Sequence, residues 1–110
     1  MKGRKLTLLY KAAAEALGTG VMVFAGFGAI FLSEKFPDHV PVYCVPIVFG
    51  LTISAMIFAV GRVSGAHFNP AVTLAFVAVG RLPVAQMPIY CLAQLFGGLV
   101  ALGFLKVLLK

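Results

Sequence analysis

The sequence predicts an all-α membrane protein with three transmembrane helices and one re-entrant half-helix, built as a single unit over residues 1–110. Three observations carry this. Hydrophobic residues make up 62% of the chain and charged residues only 11%, against about 25% charged in a typical soluble domain, so water is the wrong solvent for it. The stretches 12–32, 40–61 and 82–105 hold no Asp, Glu, Lys or Arg apart from Glu15, and each reaches the roughly 20 residues that cross about 30 Å of hydrocarbon. Between Arg62 and Arg81 lies Asn69-Pro70, which reads as a helix start placed inside the membrane rather than at its surface.

Residues 1–9 are expected as an N-terminal tail. The basic start Met1-Lys2-Gly3-Arg4-Lys5 followed by Leu6 to Tyr10 looks superficially like a secretory signal, but Lys11 interrupts the apolar region after five residues, short of the about 7–15 such a region needs. Ala12-Ala13-Ala14 is therefore the first membrane turn rather than a cleavage site. Helix one is expected over 10–32, followed by an outer loop at 33–40 that carries Glu34, Lys35, Asp38 and His39. Helix two is expected over 41–61 and helix three over 83–105. Cys44 and Cys91 both fall in spans and read as packing residues, implying neither a disulfide nor a metal site.

The segment 62–80 is too short to cross. Asn is among the best N-cap residues, and Pro is favoured at the first helical position because its missing N–H would have found no partner there. The apolar run that follows, Ala71 to Val79, makes a half-helix of about 15 Å at the α-helical rise. If Arg62 and Arg81 lie on one side of the membrane, the chain between them dips in and returns, with residues 65–68 extended. Bare backbone at membrane depth persists only where it is packed in protein or lines a wet cavity, so the turn implies a pore or binding site.

The net charge of +6 follows topology. Lys2, Arg4, Lys5, Lys11, Arg62 and Arg81 share one side, and Lys35, Lys106 and Lys110 the other, a bias that puts the N-terminus in the cytoplasm. A polybasic lipid-binding role for the N-terminus is the competing reading. No nucleophile–base pair, metal-ligand cluster or phosphate-binding glycine loop appears, so no enzyme activity, cofactor, metal or nucleic-acid partner is expected.

Two residues draw attention by their own chemistry. If Asn69 caps the half-helix through its side-chain oxygen, its amide N–H₂ is left to donate into a cavity. The positive end of the half-helix dipole, about half an elementary charge, then disfavours cations there. Glu15 is the sole carboxylate within a span, and an intramembrane charge is costly enough to suggest a duty, either as an acceptor for loop N–H groups or as part of a proton relay.

The run Ser64-Gly65-Ala66-His67-Phe68-Asn69-Pro70-Ala71-Val72-Thr73 closely resembles the first signature loop of the aquaporins, or major intrinsic proteins. Ala14-Glu15, Phe49-Gly50-Leu51-Thr52, Ala59-Val60-Gly61, Ala93-Gln94 and Gly97-Gly98 stand where that family has its landmarks, and Gly80-Arg81-Leu82-Pro83 with Gln86 and Pro88 is similar to its bacterial and plant members. The resemblance covers essentially all of the chain but only the first of the family's two inverted repeats. A second Asn-Pro-Ala, and the Arg that follows it in the family, are absent from these residues; Val72 stands in the equivalent place after the first motif.

What the resemblance implies is passive conduction of water and small neutral solutes such as glycerol, with a partner or second half needed to complete the pore. The alternative is a non-conducting subunit that associates with a full-length channel. The implied pore lining is Asn69, Phe49 as the aromatic wall of a constriction, Val72, and the backbone carbonyls of Gly65, Ala66 and His67. Asn69, Pro70 and Ala71 start the half-helix, while Glu15 and Gln94 anchor the loop. For His67 a plain packing role stands beside the pore-lining one. The implied setting is a multi-pass protein of the plasma membrane, in contact with lipid and assembled with aquaporin-like subunits.

Overall fold

In the computed structural model, which describes residues 2–109, four α-helices account for most of the chain. α1 runs Lys2–Lys35, α2 Cys44–Ser64, α3 Pro70–Ala78 and α4 Met87–Leu108, with a single 3₁₀ turn at Val84–Gln86 ahead of α4. Among the described residues α1, α2 and α4 each contain a stretch long and apolar enough to cross a membrane. α3, at nine residues, is not. Large apolar side chains point outward, Phe58 at 91% and Val42 at 77% exposure, as they do where the surroundings are lipid or another apolar chain rather than water.

The helix bounds differ from expectation at several ends. Residues 2–9 continue α1 instead of forming a tail, because nothing in them breaks a helix: the lone Gly3 is tolerated, and the Thr7 hydroxyl donates to its carbonyl at 2.7 Å. Met1 lies outside the described residues. α1 also continues past Leu32 to Lys35. α2 begins at Cys44 rather than Pro41, since residues 41–45 first make a tight turn with Cys44 N donating to Pro41 O at 2.9 Å. It ends at Ser64 rather than Gly61: the left-handed C-cap is Gly65, with φ +95°, and Gly61 is an ordinary helical residue whose carbonyl accepts the Gly65 N–H. Glycine is the residue that takes this conformation without a Cβ clash. α4 is displaced toward the C-terminus of its expected range because residues 84–86 are wound as the 3₁₀ turn and Pro88 sits in the first helical turn, where its missing N–H costs nothing.

α1 is the centre of the molecule, packed against α2 on one side and α4 on the other, and α3 lies against α4. The contact of α1 with α4 is made by small residues. A Cβ built on Gly97 would lie 2.0 Å from the Ala16 carbonyl oxygen, and one on Gly20 3.2 Å from the Gly97 oxygen, so the two backbones touch directly. The buried face of α4 repeats as Tyr90, Gln94, Gly97, Ala101 and Leu105, the three- and four-residue spacing of one helical stripe.

Candidate functional site

The segment between α2 and α3 is held from beneath by one carboxylate. Glu15, on α1, is fully buried. Its Oε2 accepts the Ser64 hydroxyl at 2.6 Å and the His67 N–H at 3.1 Å, and its Oε1 accepts the Phe68 N–H at 2.8 Å and the Gln94 Nε2–H at 2.8 Å. Four donors converge on a group that, when ionised, has only acceptors to offer. Ser64 extends the same seat, its oxygen accepting the Ala66 N–H at 3.0 Å. The N–H groups of Ala66, His67 and Phe68 are thus all satisfied by side chains.

Those bonds hold a costly backbone. Ala66 and Phe68 have φ of +56° and +55°, the left-handed region that costs a non-glycine residue of order 1–3 kcal/mol and persists only where the surroundings over-determine it. The Phe68 ring contributes by filling the notch at Gly18, where a Cβ would lie 2.0 Å from it. With the N–H groups turned toward Glu15 and Ser64, the carbonyls of Gly65, Ala66 and His67 accept none of the hydrogen bonds found among the described residues. They are three consecutive unspent acceptors.

Asn69 then opens the half-helix. Its backbone is extended, φ −161° and ψ 128°, its Oδ1 accepts the Ala71 N–H at 2.8 Å, and Pro70 occupies the first turn. The residue is exposed, and among the described residues its Nδ2 makes no hydrogen bond, which leaves two N–H donors beside the positive end of α3. Val72, one turn further, is also exposed at 37%. Asn69→Ala is expected to lose about 1 kcal/mol through the cap alone, with Asn69→Asp retaining the cap; the unfolding midpoints of the two variants in detergent, followed by circular dichroism, make the comparison.

A second buried group joins the loop to α4. Thr73, wholly buried, has its Oγ1 3.0 Å from His67 Nδ1, 3.0 Å from Gln94 Nε2 and 3.2 Å from Asn69 O. The His67 ring stacks on Phe76 with centroids 4.3 Å apart and leans against Tyr90 at 4.9 Å. The Tyr90 hydroxyl donates to Ser64 O at 2.6 Å. The structure therefore brings together Glu15, Gln94, His67 and Asn69 of the expected set, and adds Ser64, Thr73 and Tyr90, which sequence reasoning did not single out. Tyr90 was discoverable, since it lies one turn before Gln94 on the same helical face. Ser64 and Thr73 are short polar residues, and nothing local marks their partners on other helices, Glu15 and Tyr90 for the first and Gln94 for the second.

Phe49 stands apart from this cluster. It lies fifteen residues before the end of α2 at Ser64, about 22 Å along the axis at the α-helical rise. Its half-buried ring fills the notch at Gly26, where a Cβ would lie 2.2 Å from it, and meets Phe27 edge-on at 6.4 Å between centroids.

Among known proteins, the family model described as major intrinsic protein matches residues 2–110. Over 100 residues the chain is 45% identical to "Aquaporin NIP1-1" of Zea mays, covering 91% of this chain and 36% of that protein. It is 41% identical to "Nodulin-26" of Glycine max over 100 residues, covering 91% and 37% respectively. With "Aquaporin Z" of Photorhabdus laumondii it shares 43% identity over 102 residues, 92% of this chain and 44% of that one. The chain thus spans between a third and a half of the length of these curated relatives.

Proposed function

This chain belongs to the major intrinsic protein family, and from that membership we propose that it supplies one half of the wall of a pore for water and small neutral solutes. One observation carries the reading: a buried carboxylate holds three loop N–H groups, directly or through Ser64, so that the Asn69 amide and three successive carbonyls remain unspent at a helix start between membrane spans. Water both donates and accepts, and a line of fixed acceptors ending on a fixed donor replaces the partners it leaves behind. The dipole end of α3 at the same point opposes cations.

Asn69, Val72 and the carbonyls of Gly65, Ala66 and His67 form this half of the lining, with Phe49, fifteen residues before the end of α2, narrowing the passage. Glu15 and Gln94 anchor the loop. Asn69, Pro70, Ala71 and Val72 are all exposed, so the facing wall comes from a second aquaporin-like half or subunit. The N-terminus lies in the cytoplasm, as the six-to-three distribution of basic residues favours, and the plasma membrane is the proposed location. The same charge bias opposes assembly of two inverted copies, and so favours a second reading in which the chain associates with a full-length channel without conducting by itself.

Osmotic shrinkage of proteoliposomes, read by light scattering, tests both. The chain alone is expected to shrink vesicles no faster than lipid does. Together with the carboxy-terminal half of an aquaporin it is expected to accelerate shrinkage, and Asn69→Asp is expected to abolish the gain. No acceleration with any complementary half would remove the pore reading; a changed flux through a co-reconstituted full-length channel would then support the second.

A further inference from the structure

We infer that Thr73 acts as a positioning residue that fixes His67 in the Nδ1–H tautomer, so that the ring presents a bare Nε2 as one more hydrogen-bond acceptor beside the re-entrant loop. The argument is a count of protons. With four donors converging on it, the Glu15 carboxylate serves as acceptor throughout, so the Gln94 amide group spends one N–H on Glu15 Oε1 and the other on Thr73 Oγ1. Thr73 has one proton of its own, and the backbone carbonyl of Asn69, 3.2 Å away, has none to give. The Thr73 hydroxyl therefore donates to Asn69 O and accepts from Gln94. Its third neighbour, His67 Nδ1 at 3.0 Å, makes a hydrogen bond only if it too donates. The reverse assignment, with Thr73 donating to Nδ1, loses the bond to Asn69 O and puts a proton on Nε2, which has no acceptor among the described residues.

Nε2 is placed to be used. His67 is 6% exposed, yet Nε2 is not among the partnerless polar atoms shut off from the surface, which among the described residues are Thr19 Oγ1, Gln86 Oε1 and Gln94 Oε1. The nitrogen faces Gly65, where a Cβ would lie 3.1 Å from it. Stacking on Phe76 and contact with Tyr90 hold the ring in this orientation. A neutral Nδ1–H imidazole thus adds a side-chain acceptor to the unspent carbonyls of Gly65, Ala66 and His67, and its partner is a water proton. That use rests on the pore reading; the position of the proton does not.

Nitrogen-15 solid-state NMR of the chain in lipid bilayers at neutral pH tests this, with His39→Gln removing the one other histidine. The expected spectrum has His67 Nδ1 in the protonated range and Nε2 in the unprotonated range, with magnetisation transfer between Nε2 and mobile water. Thr73→Val is expected to populate the Nε2–H form, and Thr73→Ser to restore the wild-type pattern. A protonated Nε2 in the wild type, no water contact at Nε2, or an unchanged tautomer in Thr73→Val would overturn the inference. The wild-type spectrum decides even if the valine variant fails to fold. None of these signals depends on flux, so failure of the pore reading is seen separately in the vesicle experiment.

Discussion

Glu15→Ala is expected to release the re-entrant loop. The carboxylate is fully buried and accepts four hydrogen bonds, two of them from the backbone N–H groups of His67 and Phe68. The Ser64 hydroxyl and the Gln94 amide can turn elsewhere, but those two N–H groups cannot. At about 1–3 kcal/mol for each buried donor left unpaired, they alone cost ~2–6 kcal/mol. The left-handed backbone at Ala66 and Phe68 then has nothing to hold it, and its strain favours opening. Amide hydrogen exchange in detergent reads this directly: His67 and Phe68 are expected to exchange at least about 30-fold faster, the factor that corresponds to the lower bound. Glu15→Gln makes the mechanism specific. It preserves size and one acceptor oxygen but turns an N–H₂ toward the two donors that the other oxygen accepts, so it is expected to fall between wild type and alanine. Unchanged exchange in Glu15→Ala would mean that packing of Phe68 on Gly18, not the carboxylate, holds the loop.

Gly97→Ala is expected to force α1 and α4 apart. The added methyl would lie 2.0 Å from the Ala16 carbonyl oxygen and under 3 Å from the Ala16 carbonyl carbon and Cα. All three atoms are backbone, so no side-chain rotation relieves the clash, and the cost reaches or exceeds the about 1–3 kcal/mol of ordinary overpacking. The disturbance also reaches the site, because Gln94 lies one turn away on the same face and Glu15 sits next to Ala16. Gly103→Ala is the control: it lies on the same helix with nothing within 4 Å of the added carbon, and alanine is the better helix former. Thermal unfolding in micelles, followed by circular dichroism, is expected to show a lower midpoint for Gly97→Ala and none for Gly103→Ala. Equal midpoints would remove the direct backbone contact as the determinant of this packing.

The elements were legible in proportion to how local their causes are. The three spans follow from runs of apolar residues, and the half-helix from Asn69 and Pro70, whose capping chemistry acts within two residues, as the bond from Ala71 N to Asn69 Oδ1 shows. Element ends were less legible. Gly61 and Gly65 are equally good stop signals in the sequence, and only the folded chain distinguishes them: the loop must turn where Ser64 meets Glu15 and Tyr90, so the left-handed residue is Gly65. α1 starts at Lys2, ahead of the apolar run, because charge marks the membrane boundary but does not end a helix.

For the site, composition reached as far as identifying Glu15 as a carboxylate that required a partner, and the resemblance supplied a loop for it to hold. Which atoms it holds is a property of the fold. The His67 N–H lies 52 residues away along the chain and the Gln94 amide 79, and no periodicity relates positions at such separations. Thr73 shows the same division: its place on α3 follows from the helix start four residues earlier, but its meeting with Gln94 comes from the way α3 lies on α4. By itself, then, the sequence determined the solvent, the spans, the half-helix and its cap, all set by side chains acting on their own backbone and immediate surroundings. Tertiary structure alone decided the left-handed turns at Ala66 and Phe68, the closeness of Gly97 to α1, the seat of Phe49 on Gly26 and the hydrogen-bond network around Glu15. Each of these needs two elements at a particular distance, and only the packed chain sets that distance.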